Sequence, residues 1–189
     1  MDTGDKLSEA RNEVLQRIGR NLLFFQQIEL ILKYILKHGH FSGSLEEIQK
    51  MLTQWDRRSM GQLVEPFVER LFTPINFTEP QLDSKKVLFS HAFTVEFTSE
   101  QRAAFQQNIQ ALVVERNELA HHAITRFSLE SVEQCAEACE ALRQQRGKFL
   151  AFRNQIQDWA KSLTEFHVTI KKELEPGGFL DEEIRKQFR

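Results

Sequence analysis

Arg116 lies at the centre of a helix face that is otherwise apolar. Its neighbours on that face recur at the i, i+4, i+7 spacing of an α-helix. They are Phe105, Ile109, Leu112, Leu119 and Ala123. A guanidinium keeps its charge, so burying it requires a carboxylate, a set of carbonyl groups, or a cleft that admits water or an anion. The sequence therefore predicts either a structural ion pair or an anion-binding cleft at Arg116.

Glu29 is the natural carboxylate partner for Arg116 if that charge is structural. It is the only acidic residue between Glu13 and Glu46, and it borders the apolar face of the predicted first helix. A pair between Glu29 and Arg116 is still compatible with an Arg116 that faces a cleft. Both interpretations of Arg116 stay open at this point.

Two histidines follow Arg116 on the same predicted helix. Asn117 and His121 are i, i+4 neighbours, and so are Glu118 and His122, which puts each pair within side-chain reach. Asn117 could hold His121 in one tautomer, and Glu118 could favour the protonated form of His122. Such pairs position an acid or a base for proton transfer.

The elements that carry these residues are predominantly helical. Apolar periodicity predicts a long first helix over about residues 7–37 and two short helices that begin near Ser44 and Ser59. A further helix begins at the capping-box pattern of Thr98 to Gln101 and carries the Arg116 segment. The last pattern runs over about residues 129–174, long enough that it must break at Gly147, project, or pack along the first helix or a second copy.

A short segment over about residues 86–98 departs from the helical period. Apolar and polar residues alternate from Val87 to Thr98, which is typical of extended chain. The pattern predicts a small β-hairpin bent near Ser90 to Ala92 and inserted in the helical protein. Residues 1–174 are thus predicted to form a single helical domain, and residues 175–189 a charged C-terminal tail or a short docking helix.

Composition narrows the classes of function. The 189-residue chain has 41% hydrophobic and 28% charged residues and a net charge of −2, so it does not resemble a basic nucleic-acid binder as a whole. No apolar run is long enough for a membrane span, and the charged first twenty residues do not resemble a signal peptide, so we expect a cytoplasmic protein without membrane contact. Phosphate loops, zinc-protease motifs and other cofactor or metal signatures are missing from the sequence, so we expect no cofactor and no metal.

The segment Arg116-Asn117-Glu118-Leu119-Ala120-His121 resembles the motif of the HEPN family of small helical proteins. That motif is an arginine, usually followed by a polar residue, and then a histidine after four to six intervening residues. The resemblance implies an all-α bundle of four to five helices, here with long first and last helices. It also implies a homodimer in which two copies of the motif face each other across a shared cleft.

Active HEPN proteins are metal-independent endoribonucleases, often toxins controlled by an antitoxin or effectors of defence and stress. By this resemblance His121 would be the general acid or base, Arg116 would stabilise the charged phosphate, and Asn117 would orient one of them. His122 also falls within the permitted spacing and could be the working histidine. A subset of the family is silenced by modification of a tyrosine two residues after the histidine, and Ala123 at that position disfavours such control.

The sequence therefore favours an enzyme, an endoribonuclease that cuts single-stranded RNA and has an antitoxin or a regulatory protein as a further partner. The alternative is a HEPN-like helical module for binding, scaffolding or regulation without catalysis. The acidic net charge, the phenylalanine-rich segment near residue 90 and the long last helix favour that alternative.

Overall fold

The computed structural model describes residues 3–72, 89–175 and Gly177. Within these ranges the chain is mostly helical, with one small sheet, as the sequence predicts. The elements in chain order are α1 (Thr3–His38), β1 (His40–Gly43), α2 (Leu45–Asp56), α3 (Met60–Phe72), β2 (Phe89–Ala92), α4 (Ser99–Arg126) and α5 (Val132–Leu174).

Helices α1 and α5 run side by side in the same direction. Arg11 donates to the carbonyl of Leu129 at one end, and the hydroxyl groups of Tyr34 and Thr164 lie 2.7 Å apart near the other. Helix α5 continues through Gly147 without a break. Of the ways to accommodate so long a helix, packing along α1 is the one the structure adopts.

Helix α4 runs antiparallel to α5 and closes the core through an aromatic cluster. Phe105, in the second turn of α4, packs its ring 5.1 Å from that of Phe152 and 5.4 Å from that of Trp159, measured between centroids. From α3, the ring of Phe67 stacks on Phe105 at 6.0 Å. These contacts fix the rotation of α4 and therefore the direction in which each residue of the Arg116 segment points.

Side-chain caps define where three of the helices begin. Ser44 and Glu47 form the predicted capping box of α2, and Thr98 and Gln101 form that of α4. Ser131 caps α5 by accepting from the backbone N–H of Gln134. Each cap satisfies N–H groups that a helix start leaves without partners. The start of α4 is thus set by local sequence, more than twenty residues before the two histidines.

The predicted hairpin over residues 86–98 is wrong. Residues Phe89–Ala92 form one continuous strand, which pairs antiparallel with His40–Gly43, with Phe41 opposite His91. The expected bend near Ser90 to Ala92 therefore falls in the middle of a strand. Alternation identifies an extended segment but carries no information on its partner, and the partner here lies about fifty residues earlier in the chain. Residues 86–88 lie outside the described residues.

Four of the six histidines cluster where this sheet meets the ends of α1 and α5. His91 stacks on Phe166, with centroids 5.0 Å apart, and lies 5.4 Å from His167. His38 lies 6.0 Å from His167. Burial lowers the pKa of His38, His40, His91 and His167, and neighbouring positive charge lowers the first three further. The fold thus favours the neutral imidazoles.

We expect this histidine cluster to lower the free energy of unfolding as the pH decreases through the mildly acidic range. A histidine whose pKa in the folded state lies below the unfolded value of about 6.5 binds fewer protons when folded, so stability decreases as pH falls below that value. The melting temperature should therefore drop between pH 7.5 and pH 5.5. His91→Phe should reduce this dependence, whereas His121→Gln, at an exposed position, should leave it unchanged. An equal dependence in His91→Phe and the wild type would contradict the assignment.

No helix among the described residues is long and apolar enough to cross a membrane. The predicted docking helix after Leu174 lies largely outside the described residues, since only Glu175 and Gly177 belong to them.

Candidate functional site

Helix α4 places Arg116 at the edge of the core, as its spacing predicts. Phe105, Ile109, Leu112 and Leu119 of the same face are buried, and Arg116 itself is partly buried. Its guanidinium Nη1 donates to the side-chain carbonyl of Asn117, 3.0 Å away. Arg116 thus lies at the boundary of the core, and its hydrogen bond to the neutral Asn117 amide does not neutralise its charge.

The expected partner of Arg116 is not Glu29. The carboxylate of Glu29 instead accepts from Lys33 Nζ at 2.8 Å, one turn along α1, and both side chains are largely buried. Within the described residues no ion pair joins Arg116 to a carboxylate. The prediction of a Glu29–Arg116 pair is therefore wrong, because a lysine on the same helix is closer in sequence and takes the carboxylate.

His121 and His122 are both exposed, with ring centroids 6.4 Å apart. Neither of the expected i, i+4 hydrogen bonds is formed among the described residues: Asn117 is engaged by Arg116, and exposed Glu118 does not bond His122. Both imidazoles are consequently open to solvent and to a ligand.

Arg116 and His121 diverge on the helix. Five residues at 3.6 per turn separate them by about 140° around the axis and about 7.5 Å along it. This divergence agrees with their burial, since Arg116 borders the core and His121 faces solvent. Within one copy of the chain, these two side chains therefore do not point toward a single phosphate.

A buried polar network reaches α4 at Glu115, next to Arg116 in sequence. Asn21 of α1 donates to Gln145 of α5 at 3.0 Å and to the carbonyl of Leu142 at 2.8 Å. The amide of Gln145 in turn donates to the carboxylate of Glu115 at 2.9 Å. Asn21 and Gln145 are only 4% and 5% exposed. The network therefore joins three helices at the residue that precedes Arg116.

Glu115 is the charged end of this network. Its carboxylate pairs with Arg126 at 3.1 Å and lies 3.7 Å from Lys148. Burial alone would raise the pKa of Glu115, but hydrogen bonds from Gln145 and Arg126 and the charges of Arg126 and Lys148 lower it below the ordinary value. Glu115 therefore remains ionised at neutral pH and holds the carboxyl-terminal turns of α4 against α5.

The sequence contains a signal for this network, which the interpretation of the Arg116 segment did not use. Asn21 lies on one helix face with Val14, Phe25 and Ile28, and Gln145 lies on one face with Leu142 and Phe149. A polar residue in an apolar stripe is the same signal that singles out Arg116. Applied to the two long helices, it identifies Asn21 and Gln145 as buried polar residues that need partners.

An apolar groove lies beside the histidines, between α1 and α4. It has a volume of about 720 Å³ and is lined by Leu15, Ile18 and Leu22 of α1 and by Ala120, Ala123 and Ile124 of α4. Ile124 is 93% exposed and Leu15 is 57% exposed. Large apolar side chains of this exposure on one continuous surface are typical of a protein contact.

No protein-family model, no curated protein and no solved structure matches this chain. Among the described residues, no group of three or more His, Cys, Asp or Glu side chains is arranged to hold a metal ion.

Proposed function

We propose that this chain is a metal-independent endoribonuclease of the HEPN type, a toxin or a defence or stress effector that cuts single-stranded RNA. In this proposal two copies of the chain form the working site, a cleft that contains both copies of the Arg116 to His121 segment. An antitoxin or regulatory protein is the further partner that we propose.

The observation that carries the proposal is a partly buried Arg116 without a carboxylate partner among the described residues. A structural arginine at the edge of a core is expected to be neutralised there. Among the described residues, the guanidinium of Arg116 instead donates a hydrogen bond to a neutral amide and keeps further N–H groups for another acceptor. A phosphate oxygen matches that need in charge and in geometry.

The exposed apolar residues next to the motif support the second copy. Val114 is 60% exposed and Ile124 is 93% exposed, and both lie within about 80° of His121 around the helix. Burial of this surface against a second chain would remove the apolar area from water. In the proposal, the second copy supplies the Arg116 that one chain does not bring to its own His121.

The proposed chemistry is an intramolecular transesterification, in which the phosphoryl group passes from the 5′-oxygen to the adjacent 2′-oxygen of the RNA. A neutral His121 accepts the proton of the ribose 2′-hydroxyl, and the 2′-oxygen attacks the adjacent phosphorus. The bond from phosphorus to the 5′-oxygen breaks, and that oxygen leaves with a proton from an imidazolium or from water. Arg116 donates hydrogen bonds to the charged phosphate oxygens as negative charge develops. The products are a 2′,3′-cyclic phosphate and a 5′-hydroxyl, and His122 is the alternative base.

The proposal is tested by incubating the purified protein with single-stranded RNA in the presence of EDTA. We expect cleavage that EDTA does not reduce, with 2′,3′-cyclic phosphate ends. A matched oligonucleotide that is 2′-O-methylated should remain intact, because it lacks the attacking hydroxyl. No cleavage, or cleavage that is lost in EDTA, would contradict the proposal.

The second candidate function is a helical binding or scaffolding module without catalysis, and the groove between α1 and α4 favours it. In that case Ile124→Asp should abolish partner binding, and Arg116→Ala and His121→Ala should have no effect. The face of α5 with Phe149 and Ile156 is buried in the core, so it does not provide a free surface for this role.

A further inference from the structure

Two arginines share one buried tryptophan, outside the Arg116 segment. Trp55, at the end of α2, is only 4% exposed. The guanidinium carbon of Arg58 lies 4.6 Å from the centre of its ring system, and that of Arg70 lies 4.8 Å from it. Each contact is a favourable cation–π interaction. Together, however, they place two positive charges on the same side chain.

The acidic residues nearby do not neutralise these charges. Asp56, next to Trp55 in sequence, is paired with Lys37. Within the described residues, neither Arg58 nor Arg70 forms an ion pair with a carboxylate. Burial lowers the pKa of Arg70, and the charge of Arg58 lowers it further, with only partial compensation from Glu69. In the described part of the chain, these two partly buried guanidiniums therefore have no carboxylate paired with them.

Neutral polar groups at the same place also lack partners. The indole Nε1 of Trp55 and the Nδ1 of His40 are buried, and neither has a hydrogen-bond partner among the residues that the structure describes. His40 adjoins Arg70, whose guanidinium donates to the His40 carbonyl at 3.4 Å. Buried polar groups are nearly always paired in native proteins. An indole N–H donates only, so the missing partner of Trp55 is an acceptor.

We propose that Arg58, Arg70 and the indole N–H of Trp55 form a binding site for a phosphate group. A phosphate offers three or more acceptor oxygens in an arrangement that the planar guanidinium fork matches. Its negative charge compensates the arginine charges, and one of its oxygens accepts from the indole N–H. The phosphate is either a free phosphate ion or a phosphodiester of an RNA backbone. The site stands independently of RNA cleavage, because it shares no residue with the Arg116 segment.

The test follows the two tryptophan indole N–H signals by NMR during titration with inorganic phosphate at constant ionic strength. The Trp159→Phe variant assigns the two signals. We expect a saturable shift of the Trp55 signal, a smaller or no shift of the Trp159 signal, and no saturable shift with sodium chloride. Absence of a saturable shift at Trp55 would overturn the proposal.

Arginine variants make the test specific. Arg58→Gln together with Arg70→Gln should weaken phosphate binding at least about tenfold, since two charge-assisted contacts are lost. Arg57→Gln, an exposed neighbour, should bind like the wild type. Equal binding by the double variant would overturn the proposal. If the double variant does not fold, Arg58→Gln alone, at a partly exposed position, provides the same comparison. It should weaken phosphate binding several-fold.

A second titration distinguishes the two sources of phosphate. A short 2′-O-methylated RNA, which cannot be cleaved by attack of its own hydroxyl, is added to the phosphate-saturated protein. Displacement of phosphate with a new shift at Trp55 identifies an RNA backbone as the ligand. Binding of phosphate without such displacement identifies a site for the free ion. Either result can occur whether or not the protein cuts RNA, so this site and the proposed catalysis are tested separately.

Discussion

We expect His121→Ala to lower the rate of the proposed RNA cleavage by about 10²- to 10⁴-fold, the range for loss of a general acid or base. We expect Arg116→Ala to lower it by about 10²- to 10³-fold, the range for loss of a donor that stabilises charge in the transition state. The effect belongs to catalysis because His121 is exposed, and exposed substitutions change the free energy of unfolding by only about 0.5 kcal/mol. The measurement is single-turnover cleavage of a labelled RNA, with thermal melting of each variant.

Two further variants complete this comparison. His122→Ala identifies the working histidine, because the larger loss of rate belongs to whichever imidazole transfers the proton. Gln107→Ala is the matched control, since Gln107 is exposed on the same helix about 21 Å from His121 along the axis. It should cleave like the wild type. Unchanged rates in Arg116→Ala and in both histidine variants would exclude the motif from catalysis.

We expect Gln145→Leu to destabilise the protein by about 1–3 kcal/mol, the cost of leaving buried polar groups without partners. The substitution removes the acceptor of Asn21 Nδ2 and a donor to the Glu115 carboxylate, both at positions with little access to water. Its effect should extend to cleavage, because Glu115 precedes Arg116 and fixes that part of α4 against α5. Urea unfolding measures the first effect, and cleavage at a temperature where the variant is folded measures the second.

The control for this variant is its neighbour in sequence. Gln144 is exposed, and its one side-chain hydrogen bond among the described residues goes to Glu140 on its own helix. Gln144→Leu should therefore change the free energy of unfolding by no more than about 0.5 kcal/mol. If Gln144→Leu and Gln145→Leu were equally stable, the buried network would not contribute to the fold as the structure suggests.

Local sequence determines most of what could be predicted of the fold. The long helices follow from apolar periodicity, and the starts of α2 and α4 follow from capping boxes within four residues. The pairing of β1 with β2 could not be predicted, because residues 40–43 and 89–92 become neighbours only when α1 and α3 pack. The alternating pattern of one segment does not identify the distant strand with which it pairs.

Some features of the candidate site also follow from local sequence, whereas others depend on how the helices pack. The partly buried position of Arg116 follows from the apolar stripe on either side of it. The partner of Glu29 also follows from local sequence, because Lys33 is its i, i+4 neighbour on the predicted first helix. The buried network of Asn21, Gln145 and Glu115 joins three helices and required their relative rotation to be known.

The central claim is that Arg116 of one copy and His121 of another act on the same phosphate. It is tested most directly by mixing the two inactive variants Arg116→Ala and His121→Ala under conditions of subunit exchange. A mixed dimer then has one site with both residues intact. With random exchange, half of the dimers are mixed and activity should recover to about a quarter of the wild-type value. No recovery, with exchange verified by mass spectrometry of differently labelled chains, would contradict the shared cleft.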